Sequence, residues 1–210
     1  MSKLQDVENA VVSGKSKLVA GLVQEALDEG CSAPDILNGM INAMGIVGER
    51  FKKNEIFVPE MLVAARAMKK GVDVLKPHLD SGSAGVCGKA IIGTVAGDLH
   101  DIGKNLVAMM IESAGFEVID LGVDVPVEKF IETVKANPDV KIVGCSALLT
   151  TTMPALKSTV EALNSEDFRS HIKVMVGGAP ITQEFADEIG ADAYTPDAAS
   201  AAQKAKELVA

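Results

Sequence analysis

Aromatic side chains are scarce in this chain of 210 residues, where they make up 3% of the total, and tryptophan is absent. Proteins that bind single-stranded nucleic acids stack the bases on aromatic rings, so this scarcity argues against such a ligand. A surplus of basic residues is also lacking. The formal net charge is −9 at pH 7, and an acidic surface repels nucleic acids and anionic membranes. We therefore expect neither a nucleic-acid nor a membrane partner.

Long apolar runs are missing as well. Gly, Lys or Asp interrupts each run well before the ~20 residues that a membrane span needs. The N-terminal stretch MSKLQDVENAVVSGKSK lacks the apolar block of a secretory signal. The three cysteines, Cys31, Cys87 and Cys145, are odd in number and form no C-x-x-C pair, which favours free thiols in a reducing compartment. We expect a cytoplasmic protein.

Two kinds of hydrophobic pattern divide the chain. Apolar residues recur at helical spacing over residues 1–80 and predict a bundle of four helices, the third beginning at Ser32-Ala33-Pro34 and the fourth near Pro59. The stretch 81–88 consists mostly of small residues and is predicted to be a linker. Residues 89–210 form the second predicted domain.

The second domain alternates short apolar runs with helical stretches. The runs are KAIIGTVAG, EVIDLG, KIVGCSAL, KVMVGG and the weaker ADAYT. Such alternation predicts a doubly wound, flavodoxin-like parallel sheet of about five strands, although the strand order cannot be read from the pattern. Ligands of these folds bind beyond the carboxyl ends of the strands. The loop after the first strand, GDLHDIG, is therefore a candidate site.

His100 stands out in that loop because the chain has only three histidines. It could cap the following helix or bond a neighbouring carbonyl, and flavodoxins and receiver domains place acidic or phosphate-binding residues at this position. A phosphate loop, however, would have more Gly, Ser or Thr and fewer carboxylates. Imidazole is also a good metal ligand, and Asp98 could accept its second ring N–H. One histidine holds a bare metal poorly, but it suffices for a metal inside a macrocycle.

Three short motifs at predicted strand ends resemble those of one family. Asp98-Leu99-His100-Asp101-Ile102-Gly103 resembles the D-x-H-x-x-G signature of cobalamin-binding domains. Ser146-Ala147-Leu148 is similar to the S-x-L element of that family, and Gly177-Gly178 is similar to its G-G element. With the helical region before them, the motifs resemble the corrinoid proteins of methyltransferase systems and the cobalamin module of methionine synthase.

The resemblance implies a role for each matching residue. His100 would be the lower axial ligand of cobalt, Asp98 would hydrogen-bond it, and Thr152 would complete a ligand relay. Phe51, Val58 and Met61 would pack over the methyl-bearing face as a helical cap, although ordinary bundle packing would also explain all three. Further cofactor contacts are implied for a set of loop residues: Gly97, Leu99, Asp101, Ile102, Gly103, Ser146, Leu148, Thr150, Gly177 and Gly178.

The resemblance also implies a function, that of a methyl carrier bearing cobalamin or a related corrinoid in methylcobalamin, Co(I) and Co(II) forms. A substrate-specific methyltransferase would methylate Co(I). An acceptor methyltransferase would pass the methyl group from methyl-Co(III) to tetrahydrofolate or a thiol, and a reductive activase would be a further partner. The chain would not be catalytic alone. Methanol, a methylamine, a betaine and an aryl methyl ether remain open as donors.

Two other cobalamin-dependent roles are possible from the same motifs. A regulatory cobalamin sensor would combine this pair of domains with a DNA-binding region, but no basic or helix-turn-helix segment is present. A mutase module shares D-x-H-x-x-G but works with a barrel domain and generally lacks the helical cap. The sequence supports both of these hypotheses less well than it supports the methyl carrier.

Overall fold

The computed structural model describes residues 3–79 and 87–210. The chain divides into two compact units, one holding the N-terminal helices and the other holding the sheet. Each unit is considered by itself. The helices of the first unit are α1 (Lys3–Val12), α2 (Ser16–Asp28), α3 (Ala33–Lys52) and α4 (Val58–Leu75), followed by a 3-10 turn at Lys76–His78.

Local signals in the sequence set the ends of the long helices. Ser32 is the N-cap of α3 and accepts a hydrogen bond from the Asp35 backbone N–H at 3.2 Å. At the start of α4, the Glu60 carboxylate accepts the backbone N–H of Phe57 at 3.1 Å. Helix α1 packs against α3, and α2 packs against α4. The largest fully buried side chains of this unit fill the spaces between the helices: Ile36, Met40, Met61, Met68 and Leu75.

The second unit is a five-stranded parallel sheet with helices between its strands. The strand order is β2-β1-β3-β4-β5, and every neighbouring pair is parallel. The strands are β1 (Gly88–Val95), β2 (Phe116–Val125), β3 (Val140–Ser146), β4 (Lys173–Gly177) and β5 (Ala193–Tyr194). The helices are α5 (Ile102–Ser113), α6 (Val127–Ala136), α7 (Met153–Asn164), α8 (Gln183–Ile189) and α9 (Ala198–Val209). The predicted fold class, four helices followed by a doubly wound parallel sheet, is confirmed.

Strands β1 and β3 lie at the centre of the sheet and supply much of its core. Ile91, Val143 and Val174 are fully buried, together with Phe130 of α6 and Leu156 of α7. The chain runs from β1 outward to β2 and then crosses to β3 on the other side of β1. The strand order therefore reverses between β1 and β3, which is where open α/β sheets form a ligand-binding crevice.

Two further sequence predictions concern the boundaries of the domains and the lack of a membrane span. Most of the predicted linker 81–88 lies outside the described residues, so the boundaries of the domains at 1–80 and 89–210 stay a prediction. Within residues 3–79 and 87–210, no helix combines the length and hydropathy that crossing a membrane requires.

Candidate functional site

The loop between β1 and α5 places a buried carboxylate beside an accessible imidazole. Asp98 is fully buried, whereas 49% of the His100 side chain is exposed. The Oδ1 atom of Asp98 lies 2.7 Å from Nδ1 of His100 and accepts the backbone N–H of His100 at 3.1 Å. Because a carboxylate only accepts hydrogen bonds, we assign the ring proton to Nδ1, which leaves the lone pair on Nε2. The imidazole is thus held in the tautomer whose Nε2 atom can bind a metal.

The other oxygen of Asp98 joins this loop to the one that follows β3. Its Oδ2 atom accepts the backbone N–H groups of Leu148 at 2.8 Å and Leu149 at 3.3 Å. It also accepts the hydroxyl of Thr152 at 2.7 Å. These donors reach Asp98 because β3 pairs directly with β1, so the loops after the two strands leave the same edge of the sheet. The predicted trio of Asp98, His100 and Thr152 is therefore linked by hydrogen bonds.

These bonds determine the charge of Asp98. Burial alone would raise the pKa of this carboxyl group, but the N–H of Leu148, the hydroxyl of Thr152 and the donors of His100 stabilise its charged form more strongly. The net effect holds the pKa of Asp98 well below its usual range. Asp98 is therefore ionised at neutral pH and acts as an acceptor for the imidazole N–H.

Large apolar side chains are exposed around His100. Ile102 is 85% exposed and Leu99 is 72% exposed, and Leu148 and Leu149 on the facing loop are also exposed. A cluster of accessible apolar residues beside a polar centre is typical of a binding surface for a bulky ligand. Among the described residues, no group of three or more His, Cys, Asp or Glu side chains could hold a bare metal ion. The donor set of one imidazole fits a metal that brings its own equatorial ligands.

Gly178, at the end of β4, brings a third loop close to the other two. Its φ is +134°, and a Cβ atom placed on it would collide with the backbone carbonyl oxygen of Ala147. The neighbouring Gly177 accepts the Ala147 N–H at 3.1 Å. A glycine at position 178 is thus required by both the backbone conformation and the close approach of the loop after β3.

Comparisons with known proteins decide the family. Two family models, each described as a B12 binding domain, match residues 4–76 and 88–204. The chain is also 46% identical over 209 residues to a dimethylamine corrinoid protein from Methanosarcina barkeri, an alignment covering 99% of this chain and 97% of that protein. This chain belongs to the B12-binding corrinoid proteins. The resemblance seen in the sequence is confirmed, and the cofactor is cobalamin or a related corrinoid.

Solved structures of other corrinoid proteins have the same fold. A cobalamin-binding protein from Desulfitobacterium hafniense is similar with a TM-score of 0.83 at 32% identity, covering 99% of this chain and 98% of that one. A chain of the methanol:cobalamin methyltransferase complex MtaBC from Methanosarcina barkeri is similar with a TM-score of 0.84 at 28% identity. That match covers 99% of this corrinoid protein and 79% of the other chain.

The remaining predicted cofactor contacts lie at several positions on the corrinoid protein. Gly97 precedes Asp98 with a φ of +79°, and Asp101 accepts the Asn105 backbone N–H at 2.7 Å in the first turn of α5. Gly103 lies in that same turn with open space beside it. On the facing loop, Ser146 is half-buried and Thr150 is exposed. Their contacts with the corrinoid stay predictions.

The three residues predicted to cap the cofactor belong to the helical unit. Phe51 near the end of α3 is half-buried, and Val58 at the start of α4 is 38% exposed. Met61 is fully buried. The full burial of Met61 fits ordinary packing in the helical bundle, which was the alternative to a cap role. Phe51 and Val58 are less buried than Met61. The cap contacts of all three stay predictions.

Sequence reasoning missed two residues that hold the β1–α5 loop. Thr94 is fully buried and donates its hydroxyl to the His100 carbonyl at 2.9 Å. Asp124, near the end of β2, accepts the Gly97 N–H at 2.7 Å. A signal for both was present, since each is a polar residue near the end of an apolar strand. The predicted second strand EVIDLG stopped at Gly122, whereas β2 continues to Val125.

Proposed function

We propose that this corrinoid protein carries methyl groups from a substrate-specific methyltransferase to an acceptor methyltransferase. The observation that carries the proposal is the bridging by Asp98, whose carboxylate accepts His100 through one oxygen and Thr152 through the other. When bound, the corrinoid supplies a cobalt ion that can take up and give up a methyl group. His100 is the proposed lower axial ligand, acting through its Nε2 atom.

His100 has the chemistry that a detachable ligand needs. Its Nδ1–H donates to Asp98 at 2.7 Å, which orients the ring and increases the electron density available at Nε2. About half of the side chain is exposed, so Nε2 is accessible to a ligand. A proton on Nε2 competes with a metal for the same lone pair. Nε2 would therefore bind a metal only while it carries no proton.

Thr152 acts on His100 through Asp98. The ionised carboxylate of Asp98 accepts the Nδ1–H of the imidazole through one oxygen and the Thr152 hydroxyl through the other. The Thr152 hydroxyl has two acceptors, Asp98 Oδ2 at 2.7 Å and the Leu149 carbonyl at 2.9 Å, and its single proton can point at only one of them. Rotation of this hydroxyl toward or away from Asp98 changes how strongly the carboxylate charge is stabilised.

A methylated amine, with dimethylamine first, is the proposed methyl donor. Dimethylamine corrinoid proteins from Methanosarcina acetivorans and Methanosarcina mazei match this chain almost end to end at 43–45% identity, alongside the M. barkeri relative. The structural match to a chain of a methanol:cobalamin methyltransferase complex supports a methyltransferase as the direct partner. A tetrahydrofolate- or thiol-specific acceptor enzyme and a reductive activase complete the proposed set of partners.

A methyl-transfer assay tests both the role of His100 and the donor class. The corrinoid-loaded protein is incubated in turn with methyltransferases specific for dimethylamine, monomethylamine, trimethylamine and methanol, each with its own substrate, and methylation of the corrinoid is followed optically. We expect transfer from dimethylamine, slowed about tenfold or more in His100→Ala because a metal ligand is lost. His171→Ala, which removes an exposed histidine from the 3-10 turn at Asp167–His171, should transfer normally.

Two results would contradict the proposal. A His100→Ala protein that loads and transfers as well as the wild type would exclude the axial role. Transfer from methanol in a matching methanol system, without transfer from any methylamine, would exclude the donor class while leaving the carrier role intact.

A further inference from the structure

Strand β2 departs from regular geometry where it approaches the site. Its pairing with β1 shifts register between Ile92 and Gly93 and again between Gly93 and Val95. Within this irregular stretch, Asp124 has a φ of +52°, in the left-handed region that favours glycine. Among residues with a side chain, Asp and Asn tolerate this region best, but it still costs free energy that local contacts must offset. The contacts of Asp124 are therefore informative.

Asp124 forms a pair of hydrogen bonds with the loop that carries the axial histidine. Its Oδ1 atom accepts the backbone N–H of Gly97 at 2.7 Å. Its own backbone N–H donates to the carbonyl oxygen of Asp98 at 2.9 Å. The two bonds enclose the Gly97–Asp98 peptide and tie it to a neighbouring strand of the sheet. Asp124 makes both bonds from its left-handed backbone conformation.

The same loop is fixed on its other side as well. The hydroxyl of the fully buried Thr94 donates to the His100 carbonyl at 2.9 Å. The Asp98 side chain is held by the amides of Leu148 and Leu149. The backbone N–H of Asp98 donates to the Val95 carbonyl on β1 at 3.2 Å. Asp124 adds a bond before Asp98, at the Gly97 N–H, and a bond after it, at the Asp98 carbonyl. The Asp98 main chain is thus held by β2 as well as by β1.

We propose that Asp124 is a positioning residue for the axial ligand, acting through the Gly97–Asp98 backbone. Its carboxylate and amide fix the starting point of the short loop from which His100 projects, so the imidazole is presented to cobalt in one place. The inference rests on the proposed function, because it assumes that His100 binds cobalt. Asp124 itself touches neither His100 nor the cofactor in this account.

Two substitutions separate the hydrogen bond from the charge and the backbone conformation. Asp124→Gly keeps the left-handed conformation without strain but removes the acceptor for Gly97. Asp124→Asn keeps an acceptor oxygen and tolerates the same conformation but removes the charge. The two variants form a matched pair because Asp124→Gly loses the acceptor oxygen and Asp124→Asn keeps one. Circular dichroism and thermal melting establish that each variant is folded.

The first readout needs no cofactor. Hydrogen exchange of the Gly97 amide is measured by NMR in the apoprotein. The wild-type amide should be protected from exchange. In Asp124→Gly the amide should exchange about tenfold faster or more, which is the change expected when a hydrogen bond to a charged group is lost. Asp124→Asn should retain the protection. A wild-type Gly97 amide that exchanges as fast as an unbonded loop amide would overturn the proposal on its own.

The second readout is the axial ligand of the loaded protein. In the Co(II) form, an axial nitrogen splits the cobalt EPR signal, so the fraction of molecules with His100 bound can be measured. We expect the ratio of His-bound to His-free cobalt to fall about tenfold in Asp124→Gly, the lower end of the effect seen when a group that orients a metal ligand is lost. Asp124→Asn should stay close to the wild type. Equal ligation in Asp124→Gly and the wild type would overturn the proposal, as would an equal loss in both variants.

This design distinguishes the inference from the function on which it rests. If wild-type protein and His100→Ala give the same cobalt signal, His100 is not the ligand, and the proposed function fails together with this inference. If His100→Ala loses the nitrogen splitting while Asp124→Gly keeps it, the axial role stands and only the positioning role is refuted.

Discussion

Asp98 carries a negative charge in a position without solvent contact. Burying a charge is costly unless hydrogen bonds compensate for it. Asp98 accepts five, two from His100 and one each from Leu148, Leu149 and Thr152. The loops after β1 and β3 therefore converge on one carboxylate, and each donor contributes both to stability and to the orientation of the imidazole.

Thr152 offers a clean test at the scale of one bond. Thr152→Val keeps the shape of the side chain but removes the hydroxyl that donates to Asp98 at 2.7 Å. We expect the free energy of unfolding of the apoprotein to fall by about 1.5–3 kcal/mol, the range for a hydrogen bond to a charged group, as measured by urea denaturation. Thr152→Ser keeps the hydroxyl and should lose less than Thr152→Val. A Thr152→Val protein as stable as the wild type would contradict a stabilising role for this bond.

The stability difference between the wild type and Thr152→Val should depend on pH, and the pKa of Asp98 gives its sign. The folded-state pKa of this carboxyl group lies below its usual range, so its ionised form stabilises the fold above the unfolded pKa, and that stability is lost as the pH falls. Thr152→Val removes part of this contribution. The difference in stability between wild type and Thr152→Val should therefore shrink as the pH falls below about 4.

At the scale of elements, the parallel strands bring three loops to one edge of the sheet. The loop after β1 holds Asp98 and His100, the loop after β3 supplies their donors, and Gly178 after β4 lies against the β3 loop. An ion pair anchors the start of α5, where Nζ of the buried Lys104 lies 2.5 and 2.6 Å from the carboxylate oxygens of the exposed Asp120 on β2. The site is thus tied by side-chain and backbone contacts to several strands of the sheet.

Gly178 and Gly177 provide a matched pair at this scale. Gly178→Ala would force a Cβ against the Ala147 carbonyl in a backbone conformation unfavourable for alanine. We expect it to lower the free energy of unfolding by at least about 2 kcal/mol, since both strain and overpacking contribute. A Cβ at Gly177 would lie 3.7 Å from the Thr195 carbonyl oxygen, an ordinary contact. Chemical denaturation of Gly177→Ala should show a much smaller loss, and equal losses would contradict this account.

The elements differ in how far the sequence could predict them. The start of α3 follows from Ser32 and Pro34, because capping and the fixed φ of proline act within one turn. The strand order does not follow, since it depends on which strands pair across the sheet. The run ADAYT indicated a strand, yet β5 comprises only Ala193–Tyr194.

The site divides in the same way. Asp98 and His100 are two positions apart, so their contact could be anticipated from a single loop. The amides of Leu148 and Leu149 are backbone donors, which any residue could supply, and no side-chain pattern marks them. Asp124 lies on another strand in a left-handed conformation created by register shifts in β2. Such a contact depends on the tertiary structure and has no local sequence signal beyond an acidic residue near a strand end.

At the scale of the whole molecule, B12-binding family models match both the helical region and the sheet region. In the proposed function the sheet unit holds the corrinoid through His100, and the packing of Phe51 and Val58 over its methyl-bearing face stays a prediction. A carrier must keep the methyl group away from water yet release it to an enzyme. Such a protein must hold its cofactor firmly on one side and leave the other side accessible to each partner enzyme in turn.

The most direct test of this account is the identity of the cobalt ligand. Protein labelled with 15N only at histidine is loaded with corrinoid, brought to the Co(II) form and studied by EPR. We predict a nitrogen splitting that changes pattern with the isotope, that no longer responds to the isotope in His100→Ala and that still responds to it in His171→Ala. A wild-type splitting that ignores the isotope, or a splitting in His100→Ala that still responds to it, would contradict the assignment of His100 as the axial ligand.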